Sequence, residues 1–199
     1  MLSLLMDTFR NDLSSRGHFL SDRDWSNAAK HFKPVRARRG ETLLNNTVIA
    51  ETLIFVCKGV AASIQTTVDG DRQIARFFEN GQLCSNVTSA WTRALSEDEL
   101  VTMSEFSGIS IPFELFRESY MFDGPLGPYW REKVIETLLF DKDLQCAKTV
   151  RDVSVRYDFL RQRYRDVIGE VSDRYIAQFR GITPQGLSRF LKNNRAKLT

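Results

Sequence analysis

Histidine is almost missing from this chain. Its 199 residues hold only His18 and His31. A small β-barrel with a catalytic metal needs two or three histidines and a carboxylate inside it, and both histidines precede the strand-rich region. That class of enzyme is therefore not expected. Cysteine is scarce as well. Cys57, Cys84 and Cys146 are odd in number and far apart, which argues against a disulfide framework or a clustered-thiolate redox centre. Reduced thiols in a cytoplasmic protein are expected instead. No apolar run approaches the roughly 20 residues of a membrane span. The segment MLSLLMDTFRND lacks a basic start, so it is expected to form an amphipathic helix and not a secretory signal. Neither a Gly-rich phosphate loop nor a Ser–His–Asp or Cys–His set occurs, and no enzyme is expected.

What the chain does have is an uneven charge. From Lys148 to Thr199 there are 12 Lys/Arg against 5 Asp/Glu; the residues before hold 16 against 20. A basic end on a mildly acidic body is an electrostatic footprint for phosphate backbones, or a solvated surface with no partner.

The segment Val171–Asn194 decides between these. Ser172 is a good N-cap, and Asp173 suits the positive end of a helix. Tyr175, Ile176 and Phe179 fall at helical spacing, and Ala177 is small where two helices would touch. Gly181 stands where the first helix must stop. Arg180 takes a core-facing position, so its stem is expected to snorkel. Thr183-Pro184 then starts a second helix, with Thr as cap and Pro at the first helical position. Leu187, Phe190 and Leu191 form its buried stripe. Gln185, Gly186, Ser188, Arg189, Lys192 and Asn193 remain on the open face, where the polar types can donate to base edges and phosphates. This is helix-turn-helix spacing. A plain helical hairpin is the competing reading.

The middle of the chain reads differently. From Val35 to Ile111 short apolar runs alternate with turns: Arg39-Gly40-Glu41, Leu53–Cys57, Val60–Val68, Asp69-Gly70-Asp71, Gln73–Phe78, Glu79-Asn80-Gly81, Leu100–Met103 and Gly108–Ile111. Such spacing predicts an antiparallel β-barrel or jelly roll. After Pro112 the period turns helical. Phe113–Met121 is one helix. Leu126–Lys148 is a longer one, with Leu126, Trp130, Val134, Leu138 and Leu139 as a stripe for the barrel or for a second copy. Val150–Tyr164 is a third.

The order helix, barrel, long helix, helix-turn-helix resembles the CRP/FNR superfamily of bacterial transcription regulators over nearly the whole chain. Gly40-Glu41, Phe55–Gly59, the Asp69-Gly70 turn and Gly81 resemble its cyclic-nucleotide-binding-type sensor domain. ITPQGLSRFLK resembles its recognition helix. The fold class expected is α+β. Residues 1–124 would form the sensor domain, 125–148 the linking and dimerisation helix, and 149–199 the DNA-binding domain.

The resemblance implies a ligand pocket with a phosphate-binding cassette after Gly81. In GQLCSNVTSAWTRALSEDEL, Asn86 stands about where the family's Glu would be, and Arg93 is the only nearby cation. Gly81, Asn86 and Arg93 are thus the candidate ligand contacts. A phosphate needs backbone N–H groups and a fixed cation. No such cradle is evident, so cyclic AMP is not expected as effector, and no resident cofactor is expected. On the DNA side, Arg189 matches the family's base- or phosphate-contacting Arg. Gln185 replaces a Glu, which favours adenine over cytosine. Gly186 weakens the helix by about 1 kcal/mol relative to Ala. Thr183, Ser188, Lys192, Asn193, Arg195 and Arg174 complete the expected surface, the basic ones on phosphates. The partners expected are duplex DNA, a second copy, RNA polymerase and an unidentified small-molecule effector, with no membrane. The alternative is a sensor module that binds a ligand or protein and no DNA.

Overall fold

A computed structural model describes residues 2–67, 70–122, 124–150, 152–179 and 184–193. The chain opens with α1 (Leu2–Ser15) and α2 (Asp22–Ala29). The Ser21 side chain accepts the Asp24 N–H at 3.1 Å, and Asp22 and Asp24 occupy the first turn of α2, so cap and dipole both favour a start there. Strands follow: β1 (Lys33–Ala37), β2 (Thr42–Leu44), β3 (Thr52–Lys58), β4 (Ala61–Thr66), β5 (Arg72–Phe78), β6 (Leu83–Cys84), β7 (Asp98–Thr102) and β8 (Phe106–Pro112). The short α3 (Val87–Thr92) lies between β6 and β7.

The strands form two four-stranded antiparallel sheets, in the orders β1-β8-β3-β6 and β2-β7-β4-β5. This is jelly-roll connectivity. The closed barrel offered as one expectation is corrected: β5 and β6, neighbours in sequence, end up on the edges of different sheets. At the β3–β4 turn Gly59 has φ 91°, and an added Cβ would lie 2.1 Å from the Glu105 carbonyl. Only glycine fits there.

Three helices complete one side: α4 (Phe113–Met121), α5 (Gly127–Thr149) and the already placed α1. The chain ends with α6 (Val153–Arg163), α7 (Arg165–Glu170), α8 (Asp173–Phe179) and α9 (Pro184–Asn193). The helix expected from Val150 to Tyr164 is shorter. Val150 is extended and Asp152 caps Ser154 N–H at 2.7 Å, so the first turn starts at Val153. Tyr164, at φ −120° and ψ 87°, ends it.

Successive residues of β3 explain the layering. Leu53 and Phe55 point to one core, with Ile109 and Ile111 of β8, under α1, α4 and the start of α5. Ile54 and Val56 point to another, between the sheets, with Ala61, Phe78, Leu100 and Phe106. A strand covered on both faces reads as an unbroken apolar run, which is why LIFVC shows no alternation. The outer face of the second sheet is also covered. Ile64, Ile74, Phe77, Val101 and Met103 pack against Leu160, Tyr164, Val167, Ile176, Phe179 and Leu187 of α6–α9. The C-terminal helices thus share a core with the sheet.

Candidate nucleic-acid interface and sensor pocket

Helices α8 and α9 carry the expected DNA surface. Ile176, Ala177 and Phe179 of α8 are buried, and Tyr175 is half-buried. Phe179 meets Phe77 of β5 at 5.0 Å and Tyr164 edge-on at 5.8 Å between ring centroids. On α9, Leu187 is fully buried. Gln185, Gly186, Ser188, Arg189 and Lys192 are exposed, as is Arg174 on α8. Helical spacing puts Gln185, Ser188, Arg189 and Lys192 on one face. Neither Arg189 nor Lys192 forms an ion pair among the described residues. α9 carries no acidic residue. Arg180, Gly181, Thr183 and Arg195 lie outside the described residues, as do the side chains of Phe190, Leu191 and Asn193.

This helical unit is fastened to the sheet by polar contacts too. The buried Glu79 carboxylate, just after β5, accepts the N–H groups of Arg165 at 3.2 Å and Asp166 at 2.9 Å. Burial raises the pKa of Glu79, and these hydrogen bonds oppose that rise. The Phe77 N–H donates to the Tyr164 hydroxyl at 3.4 Å, and Ser104 Oγ donates to Glu170 at 2.5 Å. Gln178 donates its amide to the Arg72 carbonyl. Nothing in the sequence near Glu79 signals this role, because its partners are backbone groups 86 and 87 residues away.

The cavity nearest the expected ligand contacts lies between the jelly roll, α3 and α5. It is a cavity of about 510 Å³ whose polar lining includes Ser63, Gln65, Arg76, Asn86, Asp98 and Asp141. The three residues expected to hold a ligand are each engaged elsewhere. Asn86 caps α3: its Oδ1 accepts Ser89 N–H at 2.9 Å, and its Nδ2 donates to Ser96 Oγ at 2.8 Å. Arg93 ends α3 in the left-handed conformation, φ 60°, with its guanidinium 3.9 Å from Glu51. Gly81 donates to the Val56 carbonyl at 2.9 Å and accepts from Lys133 Nζ at 2.6 Å. Asn86 alone of the three lines the cavity.

The cavity's cation is Arg76, which the sequence reading missed. It pairs with Asp141 of α5 at 2.6 Å and lies 4.9 Å from the ring centroids of both Phe78 and Phe140. Its charge is already matched. Asp98 accepts from Ser63 Oγ, so the lining carries one carboxylate more than it has cations. That is a poor setting for a phosphate.

Behind Gly81 stands a second group invisible to local pattern. Lys133 of α5 is 4% exposed. Its ammonium is 3.4 Å from Asp12 of α1, which also accepts from Arg16 Nε at 3.0 Å and the Tyr129 hydroxyl at 2.7 Å. Burial lowers the pKa of Lys133.

On α5, the first half is buried through Leu126, Tyr129 and Trp130. The second half leaves Ile135, Leu138 and Leu139 56–63% exposed. Cys57 is half-buried, Cys84 buried and Cys146 exposed, all as free thiols. No helix among the described residues is long and apolar enough to cross a membrane.

Solved structures share this architecture. FixK2 from Bradyrhizobium japonicum matches with a TM-score of 0.66 at 16% identity, over 83% of this chain and 85% of that one. A transcriptional regulator of the crp/fnr family from Eubacterium rectale gives 0.65 at 15% identity, over 93% and 87%. The c-di-GMP responsive global regulator CLP of Xanthomonas campestris gives 0.61 at 18%, over 89% and 93%. No family model matches the chain, and no curated protein matches it by sequence. The chain therefore has the fold of CRP/FNR-family regulators over most of its length.

Proposed function

We propose that this chain is a CRP/FNR-type transcription regulator that reads duplex DNA as a homodimer. The observation that carries the reading is α9. It is anchored by buried Leu187 and turns Gln185, Ser188, Arg189 and Lys192 outward with no acidic residue among them. With α8 it forms the helix-turn-helix, and α9 enters the major groove. Arg189 and Gln185 read base edges; Lys192, Asn193, Arg195 and Arg174 hold phosphates. The exposed Ile135, Leu138 and Leu139 of α5 meet their copies in a partner. That pairing sets two reading helices about one duplex turn, roughly 34 Å, apart.

The protein works by binding and not by catalysis, in the cytoplasm, with RNA polymerase as the machinery it influences. Its effector is not cyclic AMP. The cavity's matched Arg76 and its excess carboxylate support that reading. An effector acts by shifting the population of dimers with the right helix spacing. Selection of bound sites from a random duplex library, with and without cell extract, tests the reading. It predicts a two-fold symmetric site with half-sites one turn apart. Enrichment of no sequence at all would favour a sensor module without DNA binding.

A further inference from the structure

We propose that the groove between α2 and α4 is a binding site for a bulky organic cation. Its volume is about 660 Å³. Leu20, Ala28, Leu115 and Leu126 give it apolar walls, and Asp24 and Glu118 put carboxylates on opposite sides. Among the described residues neither Arg nor Lys lines it, and Asn27, His31 and Ser119 complete its polar lining. Four other cavities, of about 450 to 620 Å³, each contain at least one Arg or Lys. The groove differs from them in having no Arg or Lys among its described lining residues.

The carboxylates have capacity to spare. Glu118 has no hydrogen bond or ion pair to its side chain among the described residues. Asp24 accepts Ser21 Oγ at 2.7 Å through one oxygen, which leaves the other. An aromatic ring stands on the wall as well: Phe122 is 81% exposed. Exposed rings of this size are costly in water and attract cations over their faces. The wall is also shaped. An added Cβ on Gly124 would lie 2.8 Å from Ser119 Oγ and 3.2 Å from Ser119 Cα, so the two residues pack closely there. Apolar walls with two unneutralised carboxylates and one exposed ring suit a ligand with positive charge spread over an apolar body. A compact, strongly hydrated ammonium would leave the walls unfilled. The proposal does not depend on the DNA-binding reading, and the groove touches neither α9 nor the cavity lined by Asn86.

The test uses two near-isosteric ions, tetraphenylphosphonium and tetraphenylborate, titrated into the full chain by calorimetry. The cation should bind and the anion should bind at least about tenfold more weakly. The double variant Asp24→Asn/Glu118→Gln should weaken the cation about tenfold and narrow its preference over the anion. Phe122→Ala should weaken the cation severalfold. Glu97→Gln, outside the groove, should leave binding unchanged. Melting curves establish that each variant is folded. Equal binding of both ions overturns the proposal, as does cation binding that ignores the double variant. A change of sedimentation mass on Phe122→Ala would mean that a second copy covers the groove, and would overturn it as well.

Discussion

The carboxylate of Glu79, at the end of β5, holds the backbone N–H of Asp166, in the first turn of α7, at 2.9 Å. One side chain of the jelly roll thereby caps a helix of the C-terminal unit. It also fixes a sign. Burial raises the pKa of Glu79 above its ordinary 4.5, so the folded protein takes up its proton more readily than the unfolded chain. The stability this group contributes is present below the ordinary carboxylate value and is lost as pH rises through the raised one. Denaturation at about pH 7 and about pH 5 should therefore show wild type gaining on Glu79→Gln at the lower pH. The opposite trend would mean that the hydrogen bonds from Arg165 and Asp166 outweigh burial.

Phe179→Ala should cost about 3–5 kcal/mol. The ring is 8% exposed and packs on Phe77 and Tyr164. Because the C-terminal helices share that core with the sheet, the loss should appear in one unfolding transition of the whole chain. A separate early transition of the C-terminal helices alone would show that the two parts do not support one another.

At the α1–α5 contact two substitutions should differ sharply. Asp12→Ala strips Lys133, Arg16 and Tyr129 of a shared acceptor. Lys133 then keeps the Gly81 carbonyl at 2.6 Å and Glu136 at 3.6 Å but loses its nearer carboxylate, which costs about 1–3 kcal/mol. Lys133→Met removes a buried charge while Asp12 keeps Arg16 and Tyr129, and should be near neutral. Chemical denaturation of both variants checks the contrast; equal losses would contradict it.

Leu138→Glu should leave the folded monomer almost unchanged, since the side chain is 63% exposed. It should raise the dimer dissociation constant at least about tenfold, because a charge would enter an apolar seam. Sedimentation at several concentrations reads this directly. An unchanged dimer would move the interface away from α5.

The order of elements was legible because each carries its own local signal. The Asn80-Gly81 turn separates β5 from β6, Pro112 precedes α4, and Pro184 opens α9. Helix Phe113–Met121 has the bounds its pattern predicts. Barrel closure was not legible, since alternation along a strand does not say which strand lies beside it. The C-terminal helices' docking on the sheet was hidden for the same reason: Phe77 and Phe179 are far apart in sequence, and each looks like an ordinary core residue. The place of Asn86 after Gly81 points to a ligand contact. The same side chain is a strong helix cap, and in the structure it caps α3. Arg76 carries no local signal of its place in the cavity, since its aromatic neighbours in RFF suggest only a strand.

In the proposed complex α9 reads bases through Arg189 and Gln185 while Lys192 holds the backbone. Binding of wild type, Arg189→Ala and Lys192→Ala to the selected site and to single-base variants, over a range of salt, tests it most directly. Arg189→Ala should cost about 1–3 kcal/mol and erase discrimination at one base pair. Lys192→Ala should weaken all sequences alike and lower the salt slope by about 1. If both variants bound the selected site and its variants as wild type does, α9 would not be the reading helix.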